Sequence, residues 1–541
     1  MRQPGKDRPV RRGFDMKKIG VFCCLLMCMS CFSRFAPPGH FNFSPDEQKR
    51  TAEMEARLAG ADLQAAKGDY VNLKEAFWTY KNLSSTLSYH LEHREKQWRI
   101  ALLLALREKE LAVYGSSSMT WANELVRSRA FPEEYRIMTR FVELIPSATK
   151  GIANQEFTNT EALRLKKEWI VDHRSILDDL RSRAEGDKFF AYLYLSIASS
   201  LSDAARDVCI ARRIAESYSD SHLLRYRMAV GINPDIKSLE RVIEENPEFE
   251  EVFLFLGDSA MAMQEIVSAE THYLRAYNRV PESVNVSLSL GNIKYWFEEL
   301  NTAIEFYQKT LDSLPDHHDA LLGKAVCLSY LGRHKEAIEV LRTILLYGHA
   351  RTGEAYYWIA WNQNILEQYD AALQNAEEAE KILEDNPLLF SLFGMIRFNR
   401  DELEQAEKRF LAANRMDPLF FEPAFHLGKI NARKENWVFS GYYFEAAATC
   451  CLHEEEKLTE MMDRIGRMAV AEERKQRILA KKKRQMAQIQ LEKATSNFNA
   501  GAGYYNAGFK DKALEFLEKS AGHTVFAEQA KTLMARLKRE K

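Results

Sequence analysis

The sequence predicts an all-α protein built as an elongated array of paired helices, on three observations: length, composition and an internal period. At 541 residues the chain exceeds what one compact core serves. Glycine (24) and proline (14) are sparse, charged residues reach 28%, and Ala, Leu, Glu, Lys and Arg dominate, a mixture that suits long helices and gives strands little to work with. From about residue 250 one register recurs with a period of 34 residues, as from Gly257 to Gly291, once stretched to 35.

Each copy of the register can be read in turn. The first holds Gly257, Ala269, Tyr273, Ala276 and Pro281, and the second Gly291, Ala303, Tyr307, Thr310 and Pro315. The third has Ala325, Ala337, Leu341 and Ile344, and the fourth, one residue late, Ala360, Ala372, Ala376 and Ala379. Gly394, Ala406, Phe410, Ala413 and Pro418 mark the fifth, and Gly428, Ser440, Phe444 and Ala447 the sixth. A last copy appears at Gly501, Ala513, Leu517 and Ala521. Within a copy, apolar residues fall at helical spacing on two segments joined by a short polar turn, such as Glu298-Glu299-Leu300-Asn301. The small residues let the two helices approach closely and the aromatic fills the space beside them. Neither helix can bury its face alone, so the copies must stack.

This succession of small residue, alanine, aromatic, alanine and proline resembles the tetratricopeptide repeat (TPR) family. The resemblance implies an α-solenoid of helix-turn-helix repeats wound as a right-handed superhelix, with the first helix of each pair lining a concave surface. In that family the second, fifth, ninth, twelfth and thirteenth positions of the first helix face ligand. Carried onto this sequence they include Leu254, Asp258, Asn292, Tyr295, Trp296, Tyr357, Trp361, Met395, Phe398, Phe425 and Lys429. Such an aromatic and mixed polar groove suits a protein or peptide partner, because rings supply contact area at little entropic cost. Asn292 matches one polar position of the family's carboxylate clamp, but Leu254, Leu288 and Leu322 stand where that clamp needs lysine, so a C-terminal carboxylate is not the expected ligand.

The N-terminus reads as an export signal over 1–31. Arg11, Arg12, Lys17 and Lys18 precede the uncharged run from Ile19 to Ser30, which is the length of a signal core and too short to span a bilayer. Met16 offers an alternative start that gives a more ordinary signal length. The run ends Cys28-Met29-Ser30-Cys31, which resembles a bacterial lipobox, with Cys28 where that motif prefers leucine; Cys31 is then the lipidated residue. The chain is expected to be exported to the cell envelope, as a membrane-anchored lipoprotein or a periplasmic protein. Residues 32–45 read as a flexible tether and 46–248 as helices with diverged repeats. Six repeats fill 249–453, one long charged helix or two in line fill 454–493, and a terminal repeat with a capping helix fills 494–541.

Function follows by exclusion and by the groove. Lys plus Arg (75) nearly balance Asp plus Glu (77), so no global field draws the chain to nucleic acid. The basic run Lys481-Lys482-Lys483-Arg484 is read as a solvated helix face. Four of the eight cysteines lie in the leader, and Cys209, Cys327 and the adjacent pair Cys450 and Cys451 sit on separate helices without metal spacing, as small buried residues do. His317 and His318 lack a third ligand, so neither metal nor cofactor is expected. The chain carries no GxSxG, HExxH, P-loop or paired CxxC, so an enzyme is not expected. The leading expectation is a non-catalytic scaffold or adaptor, of undetermined oligomeric state, that holds a partner in the concave groove. The alternative is a periplasmic solute-binding component with a deep pocket inside the solenoid.

Overall fold

The computed structural model describes residues 45–87, 91–127, 131–145, 147, 173–201, 210, 212–214, 216–218, 221–232, 235–247, 249, 251–348, 351–468 and 470–539. The signal, Cys31, tether residues 32–44 and Cys209 lie outside the described residues. Residues 1–60 and 61–541 form separate contact units, and of the first the opening of the helix Pro45–Lys67 is described. Every regular element among the described residues is helical, as the all-α reading predicts. None of these helices is long and apolar enough to cross a membrane.

Seven helix pairs follow one another along the array. Their first and second helices are Val252–Ala262 with Ile266–Arg279, Val284–Trp296 with Leu300–Ser313, His318–Tyr330 with His334–Tyr347, Thr352–Ile365 with Tyr369–Glu380, Pro387–Asn399 with Leu403–Met416, Phe421–Arg433 with Trp437–Arg467, and Glu472–Asn506 with Lys510–Ala521. A final helix, Ala527–Arg539, closes the end.

The register explains the packing inside each pair. A methyl group built on Gly257, Gly291, Gly394 or Gly428 would come within 2.6 to 2.8 Å of the ring of Tyr273, Tyr307, Phe410 or Phe444 respectively. Only hydrogen fits there, and the ring takes the place a side chain would fill. Tyr307 is held from both sides, since Gly323 of the next repeat would place its methyl 2.5 Å from the same ring. Ala303, Ala337, Ala372 and Ala406 are each fully buried on the second helices.

The turns repeat as faithfully as the cores. Gln264, Glu298, Gly332, Glu367, Asp401, Glu435 and Gly508 all have positive φ, one per repeat. In each case the next amide reaches back five residues to the end of the first helix: Glu265 to Ala260, Glu299 to Lys294, Arg333 to Leu328, Gln368 to Gln363, Glu402 to Arg397, Asn436 to Asn431 and Phe509 to Tyr504. This left-handed cap satisfies the carbonyls that a helix end exposes and turns the chain into the second helix.

The described residues between 61 and 245 pack differently. Gly68 turns the chain with φ +77° into the helix Tyr70–Leu87, whose Phe77 and Tyr80 are buried. The following helix, Leu91–Glu110, carries Arg107, fully buried beneath the rings of Tyr226 (4.2 Å) and Phe249 (5.3 Å). Its guanidinium donates to Glu110 at 2.5 Å and to Glu251 at 2.8 Å, while Arg227 and Tyr192 also donate to Glu110, at 2.8 and 2.7 Å. Such a network is costly to desolvate and holds only when its members pair, so it fixes this block against Glu251 at the entrance to the first repeat.

The charged segment after the sixth repeat departs from expectation. It is neither one long helix nor two in line. The second helix of repeat six and the first helix of repeat seven both overrun their repeats, one ending at Arg467 and the other opening at Glu472, and fold against each other as an antiparallel hairpin. Cys451, Leu458 and Ile489 form its core with Met461, Met462 and Met486, and Lys493 pairs with Glu455 across it. Apolar residues on both halves, invisible as a pair in a linear reading, close on one another.

Candidate groove and its charged wall

The inner face follows from which helices touch. The first helices of repeats two and three, three and four, four and five, and five and six pack directly on one another, whereas their second helices stand further apart. First helices therefore line the tighter, concave side.

Along that side runs a ladder of rings. Tyr295 of repeat two stacks with Tyr330 of repeat three at 6.4 Å, and Tyr330 meets Trp358 of repeat four edge-on at 5.9 Å. Trp358 continues to Tyr357 at 5.6 Å and to Trp361 at 5.5 Å, and Trp361 lies 5.9 Å from His334. Exposure is greatest at Tyr330 (56%) and Tyr295 (38%). Burial pushes the Tyr295 phenol up to about 12, with Tyr330 beside it adding to the effect, and burial pushes Tyr357 to about 12 as well. Both stay neutral donors at ordinary pH.

The ladder passes into a cationic patch on repeats five and six. Lys429 is exposed and sits 5.0 Å over the ring of Phe425 and 5.7 Å over Phe398, and Arg433 lies 4.6 Å over Phe398. Burial pushes the Lys429 ammonium below its ordinary value and Arg433 adds to that. The cleft there measures about 330 Å³ and is also lined by Trp437, Asn499 and Asn506.

The hairpin supplies a wall to the other end. Arg474 binds Glu270 through two nitrogens and Glu299 at 3.1 Å, and Lys294 joins the same two carboxylates at 2.5 and 3.1 Å. Lys482 pairs with Glu298 at 2.5 Å, Lys481 donates to the Glu298 carbonyl at 2.7 Å, and Arg464 reaches Gln264 at 3.2 Å. Burial opposes the Glu270 charge, but hydrogen bonds from Arg474 and Lys294 outweigh it and hold the carboxyl below its ordinary value. The hairpin thus seats on the turns of repeats one and two. Between it and the concave helices lies a cleft of about 590 Å³ floored by Tyr295, Trp296, Leu300 and Tyr330 and walled by Met461, Lys481 and Gln485.

The positions expected to face ligand do not share one environment. Tyr295, Trp296, Tyr357 and Trp361 stand on the ladder or beside its cleft, and Phe398, Phe425 and Lys429 form the cationic patch. Met395 is half-buried against Ala406 and Phe410. Asp258 and Asn292 serve their own repeats, accepting from the hydroxyls of Tyr273 at 2.6 Å and Tyr307 at 2.8 Å. Leu254 faces no groove: it is 1% exposed, on a helix against which the preceding helix Ile236–Glu245 packs. His317 caps its helix, its ring accepting from the Ala320 amide at 3.3 Å. Cys327, Cys450 and Cys451 are buried free thiols.

Reading the sequence missed Tyr330, Trp358 and the hairpin residues. Tyr330 stands one period after Trp296, so the register itself contained that signal. The basic run marks Lys481 but not its partner, and nothing local marks Met461; the contacts of both lie far away in the chain.

Comparison with known proteins bears on the repeats. Residues 298–358 match the family model described as tetratricopeptide repeat. No curated protein sequence matches the chain. Among solved structures, that of YrrB, described as a TPR protein with an unusual peptide-binding site, is 24% identical, with 33% of this chain and 91% of that one covered and a TM-score of 0.28. MamA from Desulfovibrio magneticus RS-1 is 17% identical over 31% of this chain and 94% of its own, with a TM-score of 0.28. Pseudomonas aeruginosa pilF is 15% identical over 36% and 88%, with a TM-score of 0.32.

Proposed function

We propose that this chain is a non-catalytic interaction scaffold that holds a segment of a partner protein against the first helices of repeats two to six. Tetratricopeptide repeats bind protein or peptide partners, and the observation that carries the reading here is the ring ladder from Tyr295 through Tyr330 and Trp358 to Trp361. A row of partly exposed aromatics on a rigid inner face buries apolar surface on binding without ordering flexible side chains. The same ladder gives an extended segment successive seats, one per repeat. We further propose that the leader exports the chain and that Cys31 tethers it to a membrane of the cell envelope, a reading supported by the basic residues, the uncharged run and the small residue before Cys31.

Affinity capture from detergent-solubilised native cells tests the scaffold reading. Wild type is compared with a Tyr295→Ala, Tyr330→Ala, Trp361→Ala triple variant whose thermal unfolding is unchanged. Loss of a specific protein from the variant is the expected result, and the same partners on both would put the binding surface elsewhere. For the tether, Cys31→Ala is expected to abolish incorporation of labelled fatty acid; equal labelling of both proteins would refute lipidation at that residue.

A further inference from the structure

We infer that the segment held in this groove is acidic, with apolar side chains seated on the ladder and carboxylates at its two ends. The inference rests on the groove reading and adds the chemistry of the ligand. Each end of the ladder carries a surplus positive charge. At the hairpin end the cleft of about 590 Å³ contains Lys481 and Lys482 against one carboxylate, Glu298, which Lys482 already engages. Lys481 donates only to the Glu298 backbone carbonyl and makes no ion pair among the described residues. At the far end Lys429 likewise makes no ion pair among the described residues and lies over two rings, and its neighbour Arg433 is paired with Asp401, whose side chain is 82% exposed. Among the described residues no carboxylate lines that cleft.

Almost every other groove-side cation is matched. Arg474, Lys294 and Lys482 are all compensated by Glu270, Glu298 or Glu299. The contrast makes Lys481 and Lys429 the places where an incoming carboxylate gains a charge-assisted bond without displacing an internal one. The aromatic stretch between them takes apolar side chains. A polyanion such as single-stranded nucleic acid fits less well, because it needs cations at every step and the middle of the ladder offers rings alone.

Selection of short random displayed peptides on immobilised full-length protein tests the inference, with the Tyr295, Tyr330, Trp361 variant as the control for groove dependence. Groove-dependent peptides are expected to be enriched in Asp and Glu on either side of apolar residues. A selected peptide should bind about tenfold more weakly to Lys429→Met or Lys481→Met, as loss of a desolvated charge contact does, and Lys481→Arg should restore binding. Groove-dependent peptides without acidic enrichment, or affinities indifferent to both methionine variants, would overturn the inference and leave the groove standing. Selected peptides that bind the control equally well would overturn both readings. Displacement of the peptide by a single-stranded oligonucleotide that binds more tightly would reassign the ligand class.

Discussion

The helix pair inside a repeat and the seated hairpin are two contacts of opposite character within one molecule. Between the helices of a repeat, glycine meets a ring and alanine is sealed from water, so the contact is apolar, dense and indifferent to salt. Between the hairpin and the first two repeats, Arg474 and Lys482 meet Glu270, Glu299 and Glu298, with Lys294 of repeat two sharing the first two carboxylates, so the contact is ionic and partly wetted. The first kind of contact has one geometry and fails only by unfolding. The second holds in water by pairs whose strength depends on salt and pH, and it borders the cleft where a ligand would enter. The array's half of the groove is thus held by close packing and the hairpin's half by ion pairs.

Substitutions can break that contrast, beginning with the strongest. Ala406→Asp places an unpaired carboxylate in the fifth repeat's core and is expected to cost about 3–5 kcal/mol in urea unfolding. Gly291→Val, which drives a branched side chain into Tyr307, should cost about 1–3 kcal/mol by the same measurement. Arg474→Gln acts on the other contact: loosening of about 1–2 kcal/mol is expected, seen as faster hydrogen exchange in residues 472–482 with the repeats unchanged, since Lys294 of repeat two still pairs with Glu270 and Glu299. Equal loosening of the repeats would mean that the hairpin is integral to the array's core.

Acid should separate the two regions in a defined order. Burial against Phe410 pushes the His426 imidazole down to about 4, so this group is neutral when folded and takes a proton readily when unfolded. Stability it contributes is full above the ordinary histidine value of about 6.5 and is lost as pH falls from there toward 4. Glu270, held below the ordinary carboxylate value, contributes stability above that value and loses it as pH falls through its own lower one. Exchange protection is therefore expected to weaken around repeat six first and at the hairpin seat later. His426→Leu should abolish the first step and leave the second. The smallest effect concerns a turn: Glu435 has φ +58°, and Glu435→Gly should raise stability by about 0.5–1 kcal/mol through release of that strain.

What could be read from the chain alone follows the same division. The repeats were legible because glycine, alanine and ring at fixed spacing are what a close helix pair demands, as at Gly257, Ala269 and Tyr273. Their left-handed turns were not, since Gln264, Glu298, Glu367, Asp401 and Glu435 occupy them where glycine would have marked the place. Lys481 and Lys482 read as a solvated helix face because their partner Glu298 is remote in sequence and brought near only by the hairpin. Leu254 shared the register of a groove position but not its surroundings, which the N-terminal block fills. The ion network at Arg107 was hidden for a like reason, its members Glu251 and Arg227 lying far along the chain.

The central claim, that the inner face of the array is the binding surface, is tested most directly by position-specific photo-crosslinking in native cells. A photoreactive phenylalanine derivative is placed at Tyr330, on the ladder, and separately at Glu339, whose exposed side chain lies on the second helix of the same repeat. Adducts to a discrete partner from Tyr330 and none from Glu339 are the predicted result; adducts from Glu339 with none from Tyr330 would contradict the account.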